Sequence, residues 1–350
     1  MEPFSDRLLR WFDRVKRDLP WRHTRDPWAI WVSEVMLQQT RVEVVRAPFE
    51  RFVARFPTPA DFAAASDDVL QAAWRGLGYY RRARLLREGA RAVVRDHGGR
   101  VPQALDALGE LPGIGDYTLG AVGSIAFGHA VPALDGNVER VLSRHLALRE
   151  NVRTAAARAK LRAAAASRLC AERPGDTNQA LMELGATVCT PLNPRCTECP
   201  VAADCEGRKL GIAAELPVKP RPRAPVDVHA MAALARAGDC VFGRRIEEGS
   251  VNSGQVELPG AGLLETVDSA AELQQVVERR CGAVVRVGAK VAEVRHAITH
   301  HRITLVVHDA AMVDPGPLQA LRTDTRRCRG PPLRARRSAQ WDCPRPEIRG

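Results

Sequence analysis

The sequence has no long hydrophobic run. No stretch approaches the roughly 18–20 apolar residues that a membrane-spanning helix needs. The first residues, MEPFSDRLLRWFDRVKRDLPWR, lack the apolar segment and the small-residue cleavage site of a secretory signal. Both absences predict a cytoplasmic protein that does not span a membrane. In that reducing compartment, its nine cysteines are expected to be thiols or metal ligands and not a disulfide framework.

Strand-like alternation is missing from residues 4 to about 185. Apolar residues there recur every three or four positions in FSDRLLRWFDRV, WAIWVSEVMLQQTRVEVV and DDVLQAAWRGL. Turn signals such as FPTP, GLG and HGG separate these stretches. The pattern predicts a first domain, residues 1–215, built from helices in series.

A composition change marks the end of that domain. The segment LPVKPRPRAPV, residues 216–226, contains four prolines among basic residues and predicts an exposed, semi-rigid linker. Strand-like VDVHAMAALARAGDCVFGRR and HRITLVVHDAAMV flank the helical SAAELQQVVERRCG, which predicts a small α+β domain over 227–313. Residues 314–350 are rich in Arg and Pro and poor in apolar residues, so we expect a disordered tail.

The charge is strongly one-sided. Lys and Arg number 52 against 41 acidic residues, giving a formal net charge of +11. Such a balance favours a polyanionic partner, either nucleic acid or an anionic membrane surface. An Arg-rich composition of the whole genome would produce the same balance.

Four of the nine cysteines are clustered in CTPLNPRCTECPVAADC, with the spacing C-x6-C-x2-C-x5-C. The other five are scattered without ligand spacing. Structural zinc is the simplest interpretation of a Cys-x-x-Cys pair, but zinc sites favour two short pairs separated by a longer loop. Three short, unequal gaps instead favour a compact iron–sulfur cluster with one Cys at each iron.

Three other segments allow more than one interpretation. LPGIG could be an ordinary turn between helices, or Gly113 and Gly115 could bring the backbone N–H groups at Asp116 against a phosphate. Asp135, which precedes Gly-Asn and an apolar run, is a candidate helix N-cap. Glu34 lies in the apolar segment WVSEVM, where it either faces solvent or is buried for a functional reason.

The cysteine spacing, together with LPGIGDYTLGAVGSIAFG, LDGNV and SEVMLQQT, resembles the endonuclease III and MutY family of DNA glycosylases. The resemblance extends over residues 4–313. It implies a mostly α N-terminal helix-hairpin-helix glycosylase domain with an iron–sulfur cluster loop at 189–205, plus a smaller α+β Nudix-like C-terminal domain. It also implies a [4Fe–4S] cluster, whose ligands would be Cys189, Cys196, Cys199 and Cys205.

The same resemblance implies roles for residues of the first domain. Glu34 matches the general acid that protonates adenine, and Asp135 matches the aspartate that stabilises the cationic sugar. Asn137 falls near the catalytic water. Tyr117 occupies the position where bifunctional relatives carry the Lys that forms a Schiff base, so a monofunctional enzyme is expected. The residues that would surround the flipped adenine are Trp21, Arg22 and Glu183.

DNA contacts are implied in both domains. Gln39 and Tyr79 match residues that wedge into the base stack, and the turn with Gly113 and Gly115 would hold a phosphate.

In the second domain, VRHAITHHRITL matches only in part the Phe-Ser-His segment with which the family reads 8-oxoguanine. Ile298, Thr299 and His300 occupy those three places. The acids of a Nudix catalytic helix are replaced by Val276, Arg279 and Arg280, so this domain is expected to read the lesion and not to hydrolyse nucleotides.

The resemblance therefore implies a monomeric adenine DNA glycosylase for double-stranded DNA in which adenine lies opposite 8-oxoguanine or guanine, with no membrane partner. Two alternatives stay open. One is a glycosylase of the same fold that removes thymine opposite guanine, against which Glu34 and the second domain argue. The other is a non-catalytic DNA-binding protein that carries a cluster, against which the pair of Glu34 and Asp135 argues.

Overall fold

The computed structural model of the chain describes residues 2–220, 223–246, 255–262 and 264–322. The chain divides into two compact units. Residues 1–66 and 77–221 belong to the first unit, and residues 67–76 and 222–350 belong to the second. The first is helical, and the described part of the second combines a sheet with two helices, Asp67–Ala73 and Ala270–Cys281. This confirms the predicted fold class.

The helices that precede the sheet include helices in each of the three stretches whose apolar periodicity predicted them. They are α1 Phe4–Val15, α2 Pro27–Leu37, α3 Val42–Arg55, α4 Pro59–Ala63, α5 Asp67–Ala73, α6 Arg81–Asp96, α7 Leu105–Gly109, α8 Asp116–Phe127, α9 Gly136–His145, α10 Ala155–Ala166, α11 Pro174–Thr187 and α12 Glu206–Lys209. Single 3-10 turns occur at Pro20–Arg22, Cys196–Glu198, Ala202–Asp204 and Ala213–Glu215.

Helix α2 is buried on nearly every side because its sequence is apolar around the whole circumference. Asp26 caps it by accepting hydrogen bonds from the N–H groups of Trp28 and Ala29, and Pro27 stands at its first position. The apolar periodicity of 28–45 gave no sign of an interruption. The chain instead turns after Leu37, where Gln39 adopts a left-handed conformation with φ 55°.

A core of the first unit lies between α1, α9, α10 and α11. Its buried members include Leu8, Phe12, Leu142, Leu161 and Leu181. Helix α2 packs against α3 and α8, and α8 packs in turn against α11. This packing, with α11 also against α9, brings α2, α8, α9 and α11 together. These helices carry Glu34, Tyr117, Asn137 and Glu183, and Asp135 stands at the start of α9.

The second unit contains a mixed sheet. Its strands are β1 Val226–Ala237, β2 Cys240–Arg245, β3 Val256–Glu257, β4 Val284–Ile298, β5 His301–Asp314 and β6 Gln319–Arg322. The order is β3-β2-β1-β5-β4, with β6 paired to β2, and β1 runs parallel to β5. Helix α13, Ala270–Cys281, ends at the predicted Gly282 with φ 60° and buries Leu273 and Val277 in a core shared with the sheet.

Three boundary predictions need correction. The segment 67–76, predicted inside the first domain, groups with the second unit, where Asp68 lies 3.8 Å from Arg245. The linker was predicted to be exposed from residue 216, but Leu216 is buried and its carbonyl oxygen accepts a hydrogen bond from the Arg144 side chain. The proline-rich composition did not indicate that this end of the segment is docked.

The third boundary prediction that needs correction concerns the tail. Disorder from residue 314 is wrong for Gln319–Arg322, which form β6 and pair antiparallel with β2. Leu318 and Leu321 are buried there, so this short apolar pattern contributes to the fold despite its Arg-rich and Pro-rich surroundings. Residues 323–350 of the predicted tail lie outside the described residues.

Candidate active site and cysteine loop

Glu34 lies on α2 with 5% of its surface exposed, so the solvent-facing alternative is wrong. Burial raises the pKa of this carboxyl to about 7, and the nearby negative charge of Asp135 acts in the same direction. The Tyr117 hydroxyl donates a hydrogen bond to Glu34 Oε2 and opposes the rise. A carboxyl with a pKa near neutrality can hold a proton and donate it at physiological pH.

Asp135 is the N-cap of α9, as its sequence context predicted. Its Oδ1 accepts the N–H groups of Asn137 at 2.9 Å and Val138 at 2.7 Å, while Oδ2 accepts the Asn137 side-chain amide at 2.7 Å. Burial raises the pKa of Asp135, and these three donors oppose that rise. Because all three contacts require an acceptor oxygen, the arrangement favours the carboxylate form.

Tyr117 occupies the first turn of α8 and lies near enough to both acids for their charges to act on its phenol. Burial, followed by the charges of Glu34 and Asp135, raises the pKa of its phenol well above the ordinary value, so the hydroxyl remains a donor. The preceding turn requires Gly113, whose φ is 84°, and Gly115 is the N-cap of α8. Both glycines are exposed at this turn.

Glu183 on α11 is 1% exposed and is held by two arginines. Arg17 binds Oε1 through Nε at 2.8 Å and Oε2 through Nη2 at 2.9 Å, and Arg22 Nη2 binds Oε2 at 2.9 Å. Burial alone would raise the pKa of Glu183, but these arginines outweigh it and the pKa is lowered. Sequence reasoning missed Arg17. A buried carboxylate needs a neutralising partner, and the nearness of Arg17 to Arg22, five residues away in the sequence, was the available signal that both could bind Glu183.

Trp21 is also buried, at 7% exposure, and its ring packs edge-on against Phe49 with 5.5 Å between ring centroids. The structure brings together Glu34, Tyr117, Asp135 and Asn137. The Arg22 guanidinium is also near enough for its positive charge to lower the pKa of Glu34.

The two predicted wedge residues are both exposed and both left-handed. Gln39 has φ 55° and Tyr79 has φ 48°, conformations that residues other than glycine adopt rarely. Arg82, which was not predicted, donates hydrogen bonds to main-chain oxygens in both turns. It carries no recognisable sequence signal, because backbone carbonyls are present at every residue.

The four clustered cysteines line a single cavity together with Arg144, Arg195 and Arg208. Burial raises the pKa of the Cys199 thiol to about 12, and the charges of the other three sulfurs add to the rise. Arg144 Nη1 lies 3.3 Å from Cys189 Sγ and 2.7 Å from the Thr190 carbonyl oxygen. Within the described ranges, no three His, Cys, Asp or Glu side chains converge closely enough to hold one metal ion.

Arg140 connects the cysteine loop with the acids. Its Nε donates to the Cys189 carbonyl oxygen at 2.8 Å, and its Nη2 donates to Asn137 Oδ1 and to the Gly185 carbonyl oxygen, each at 2.8 Å. Asn137 in turn donates to Asp135. The sequence placed Arg140 on a helix after LDGNV but gave no indication of this bridge.

Thr299 and His300 belong to the second unit, where they form the turn of the β4–β5 hairpin between the paired residues Ile298 and His301. Thr299 has φ 54°, and its hydroxyl donates to the Ile298 carbonyl oxygen at 2.7 Å. The His300 and His301 ring centroids lie 4.1 Å apart.

The Nudix acid positions are used for packing and pairing. Val276 is buried in the core of the second unit, Arg279 lies 3.1 Å from Glu265, and Arg280 donates to the Gly260 carbonyl oxygen.

Among the described residues, no helix has the length and apolar character needed to cross a membrane.

The chain is similar to known DNA repair proteins. A model of the HhH-GPD superfamily of base excision DNA repair proteins matches residues 32–171. Human adenine DNA glycosylase is 46% identical over 215 residues, 59% of this chain and 39% of the human protein. The adenine DNA glycosylase of Mycolicibacterium smegmatis is 41% identical over 213 residues, 59% of this chain and 70% of that protein.

A solved structure of a thermostable thymine-DNA glycosylase matches with a TM-score of 0.55 and 30% identity, covering 59% of this chain and 95% of that chain. The match to the human, rat and mouse relatives spans about two fifths of their length.

Proposed function

Because the chain belongs to the adenine DNA glycosylase family within the HhH-GPD superfamily of base excision repair proteins, we propose that it hydrolyses the N-glycosidic bond of mispaired adenine in DNA. The observation that carries this proposal is the pair of acids in contrasting environments, Glu34 with a pKa of about 7 and Asp135 held by three hydrogen-bond donors.

The two acids have complementary tasks. Neutral adenine is a poor leaving group, so Glu34 transfers its proton to N7 of the flipped base as the bond breaks. The sugar then becomes cationic, and the Asp135 carboxylate stabilises it electrostatically. Asn137, which contacts Asp135, orients the attacking water. Glu183, Arg22 and Trp21 form the pocket that holds the adenine, with Glu183 fixing the Arg22 guanidinium.

Tyr117 makes the enzyme monofunctional. A phenol cannot form the Schiff base that a Lys at this position would form, so the product is an intact abasic site. The same hydroxyl donates to Glu34 and keeps the proton of the acid from being held too firmly.

Double-stranded DNA is held by contacts that carry no sequence information. The exposed turn with Gly113 and Gly115 presents backbone N–H groups to a phosphate, and Gln39 and Tyr79 enter the stack around the flipped base. In the second unit, Thr299 and His300 on the Nudix-like domain read the 8-oxoguanine opposite the adenine. The protein acts as a monomer on DNA in the cytoplasm.

The cysteine loop holds a [4Fe–4S] cluster. Four thiols around one cavity, with arginines among the lining residues, fit an anionic cluster ligated by Cys189, Cys196, Cys199 and Cys205. The cluster supplies rigidity and local charge to the loop when bound. The chain's own residues, Arg140 and Arg144, bind the backbone of that loop to α9.

The test is adenine release by the purified protein from duplexes with adenine opposite 8-oxoguanine or guanine. Glu34→Gln and Asp135→Asn should each reduce the single-turnover rate by about 10²–10⁴-fold. Glu139 is a buried acid on α9, the helix that Asp135 caps, and Glu139→Gln should retain activity. Near-normal rates for the first two variants would overturn the assigned roles. Borohydride should trap no protein–DNA adduct.

The similarity to a thymine-DNA glycosylase makes thymine release the specific alternative. A duplex with thymine opposite guanine is therefore included, and release of thymine but not adenine would replace the proposal. Metal analysis of anaerobically purified protein should find about four irons per chain and brown colour. Stoichiometric zinc without visible absorbance would contradict the cluster.

A further inference from the structure

The two wedge side chains stand on backbone that is unfavourable by itself. Gln39 and Tyr79 are exposed, with Tyr79 56% exposed, and each has a positive φ. Left-handed conformations of residues other than glycine persist only when surrounding contacts enforce them. Exposed side chains supply few such contacts, so the main chain of each turn must be fixed by something else.

A single guanidinium, that of Arg82 at the start of α6, contacts both turns. The first turn contains Gln39 and the second contains Tyr79. Nη1 donates to carbonyl oxygens at the end of α2 and in the first turn, namely those of Val35 at 2.7 Å, Met36 at 3.0 Å and Gln38. Nη2 donates to Thr40 Oγ1 at 3.1 Å and, in the second turn, to the carbonyl oxygens of Leu77 at 3.1 Å and Gly78 at 3.3 Å.

These contacts bracket the strained residues. Gln38 and Thr40 are the two neighbours of Gln39, and Gly78 immediately precedes Tyr79. The Arg82 guanidinium also lies 5.5 Å from the centroid of the Tyr79 ring. Thr40 Oγ1 lies 3.5 Å from the Leu77 carbonyl oxygen, so the two turns also contact each other directly. Only a planar group with several fixed donors can satisfy so many oxygens at once.

We propose that Arg82 is a positioning residue that holds both wedges in the conformation that enters the base stack. This inference rests on the proposed function, since it concerns how the adenine is extracted before its bond is broken. Arg82 acts through the two turns and not on the reacting atoms. It lowers the conformational cost of insertion because both side chains are presented before DNA binds.

The test uses Arg82→Met and Arg82→Lys, with Arg87→Met as the matched control. Arg87 is a buried arginine one and a half turns further along α6, and its Nη1 donates to the Ala65 carbonyl oxygen, which belongs to neither turn. Single-turnover release of adenine is measured on a mismatched duplex and on the same adenine placed in an unpaired bubble, where no stack has to be opened.

Arg82→Met should slow release from the mismatched duplex by about ten- to a hundredfold, while release from the bubble stays close to that of the wild type. The release rate of Arg82→Lys on the mismatched duplex should lie between those of the wild type and Arg82→Met, because an ammonium keeps the charge but cannot bind both turns. Arg87→Met should affect both substrates equally, if at all. An equal loss on both substrates for the Arg82 variants would overturn the proposal.

A double-mutant cycle provides a second criterion. In a Gln39→Ala, Tyr79→Ala background, adding Arg82→Met should change the rate on the mismatched duplex very little, because the wedges through which Arg82 acts are gone. Additive effects would contradict the proposal even if the single variant were slow.

The proposed function can fail independently. 2-Aminopurine at the adenine position reports unstacking by its fluorescence without any bond cleavage. If the wild-type protein unstacks this base but releases no adenine, the proposed function fails. The Arg82 proposal is then decided by whether Arg82→Met reduces the fluorescence rise and Arg87→Met does not.

Discussion

Glu34→Gln should make the protein more stable while it abolishes catalysis, and the gain should depend on pH. In the folded protein burial raises the pKa of Glu34 from 4.5 to about 7. Between these values the unfolded chain loses its proton and the folded protein keeps it, so the wild type loses stability as the pH rises through this window. The difference corresponds to about 3 kcal/mol, an order-of-magnitude figure.

A glutamine cannot ionise, and it keeps an oxygen that can accept the Tyr117 hydroxyl. Glu34→Gln is therefore expected to exceed the wild type in free energy of unfolding by about 3 kcal/mol at about pH 8 and by about 1 kcal/mol at about pH 5. Urea titrations followed by tryptophan fluorescence, repeated across this range, measure the difference. A gain that is the same at every pH would refute the reasoning.

Glu183→Gln is the matched control, because this carboxyl is equally buried but its pKa is lowered by Arg17 and Arg22. Its contribution is present above the pKa of an unfolded Glu and is lost as the pH falls through the lowered value. The control variant should therefore be less stable than the wild type at about pH 8. The two substitutions should shift stability in opposite directions although their chemistry is identical.

Three further outcomes are expected. Tyr117→Phe removes the hydrogen bond that lowers the pKa of Glu34, so the basic limb of the pH–rate profile should move up by about one to two pH units; a profile that stays in place would contradict this. Arg140→Lys cannot keep its contacts to Asn137 and to the cysteine loop together, so adenine release should fall about tenfold with unchanged iron content by elemental analysis. Leu321→Ala, in a buried position of β6, should lower the free energy of unfolding by about 2–4 kcal/mol. An unaffected urea midpoint would show that β6 contributes nothing to the fold.

The sequence predicts those elements whose cause is local. Helix α1 occupies the predicted FSDRLLRWFDRV, and α13 ends at Gly282, where a left-handed glycine closes the helix. The break at Gln39 was missed because the contacts that permit it come from Arg82, more than forty residues away. Helical periodicity through WAIWVSEVMLQQTRVEVV carries no trace of a long-range contact.

The same distinction applies to the candidate site. Local patterns drew attention to Glu34, an acid in an apolar segment, and to Asp135, an acid before Gly-Asn. They left the burial of Glu34 open, and the catalytic roles of both acids came from the family resemblance. Arg82, Arg140 and Arg144 were not recognisable, because each donates mainly to backbone carbonyl oxygens, and every residue offers one. Strand β6 was missed for a related reason, since its pairing with β2 uses backbone groups that composition does not report.

The contrast between the two acids follows from the secondary structure that carries each. Glu34 projects from the interior of α2, where backbone N–H groups are already bonded within the helix and the neighbouring side chains are apolar. Asp135 caps α9, where unpaired N–H groups are available and two of them bind its Oδ1. Burial raises the pKa of both carboxyls, but only at the helix end does the backbone supply donors that favour the charged form. A fold that places one acid in mid-helix and the other at an N-cap therefore favours the proton on Glu34 and the charge on Asp135, the division that the proposed function requires.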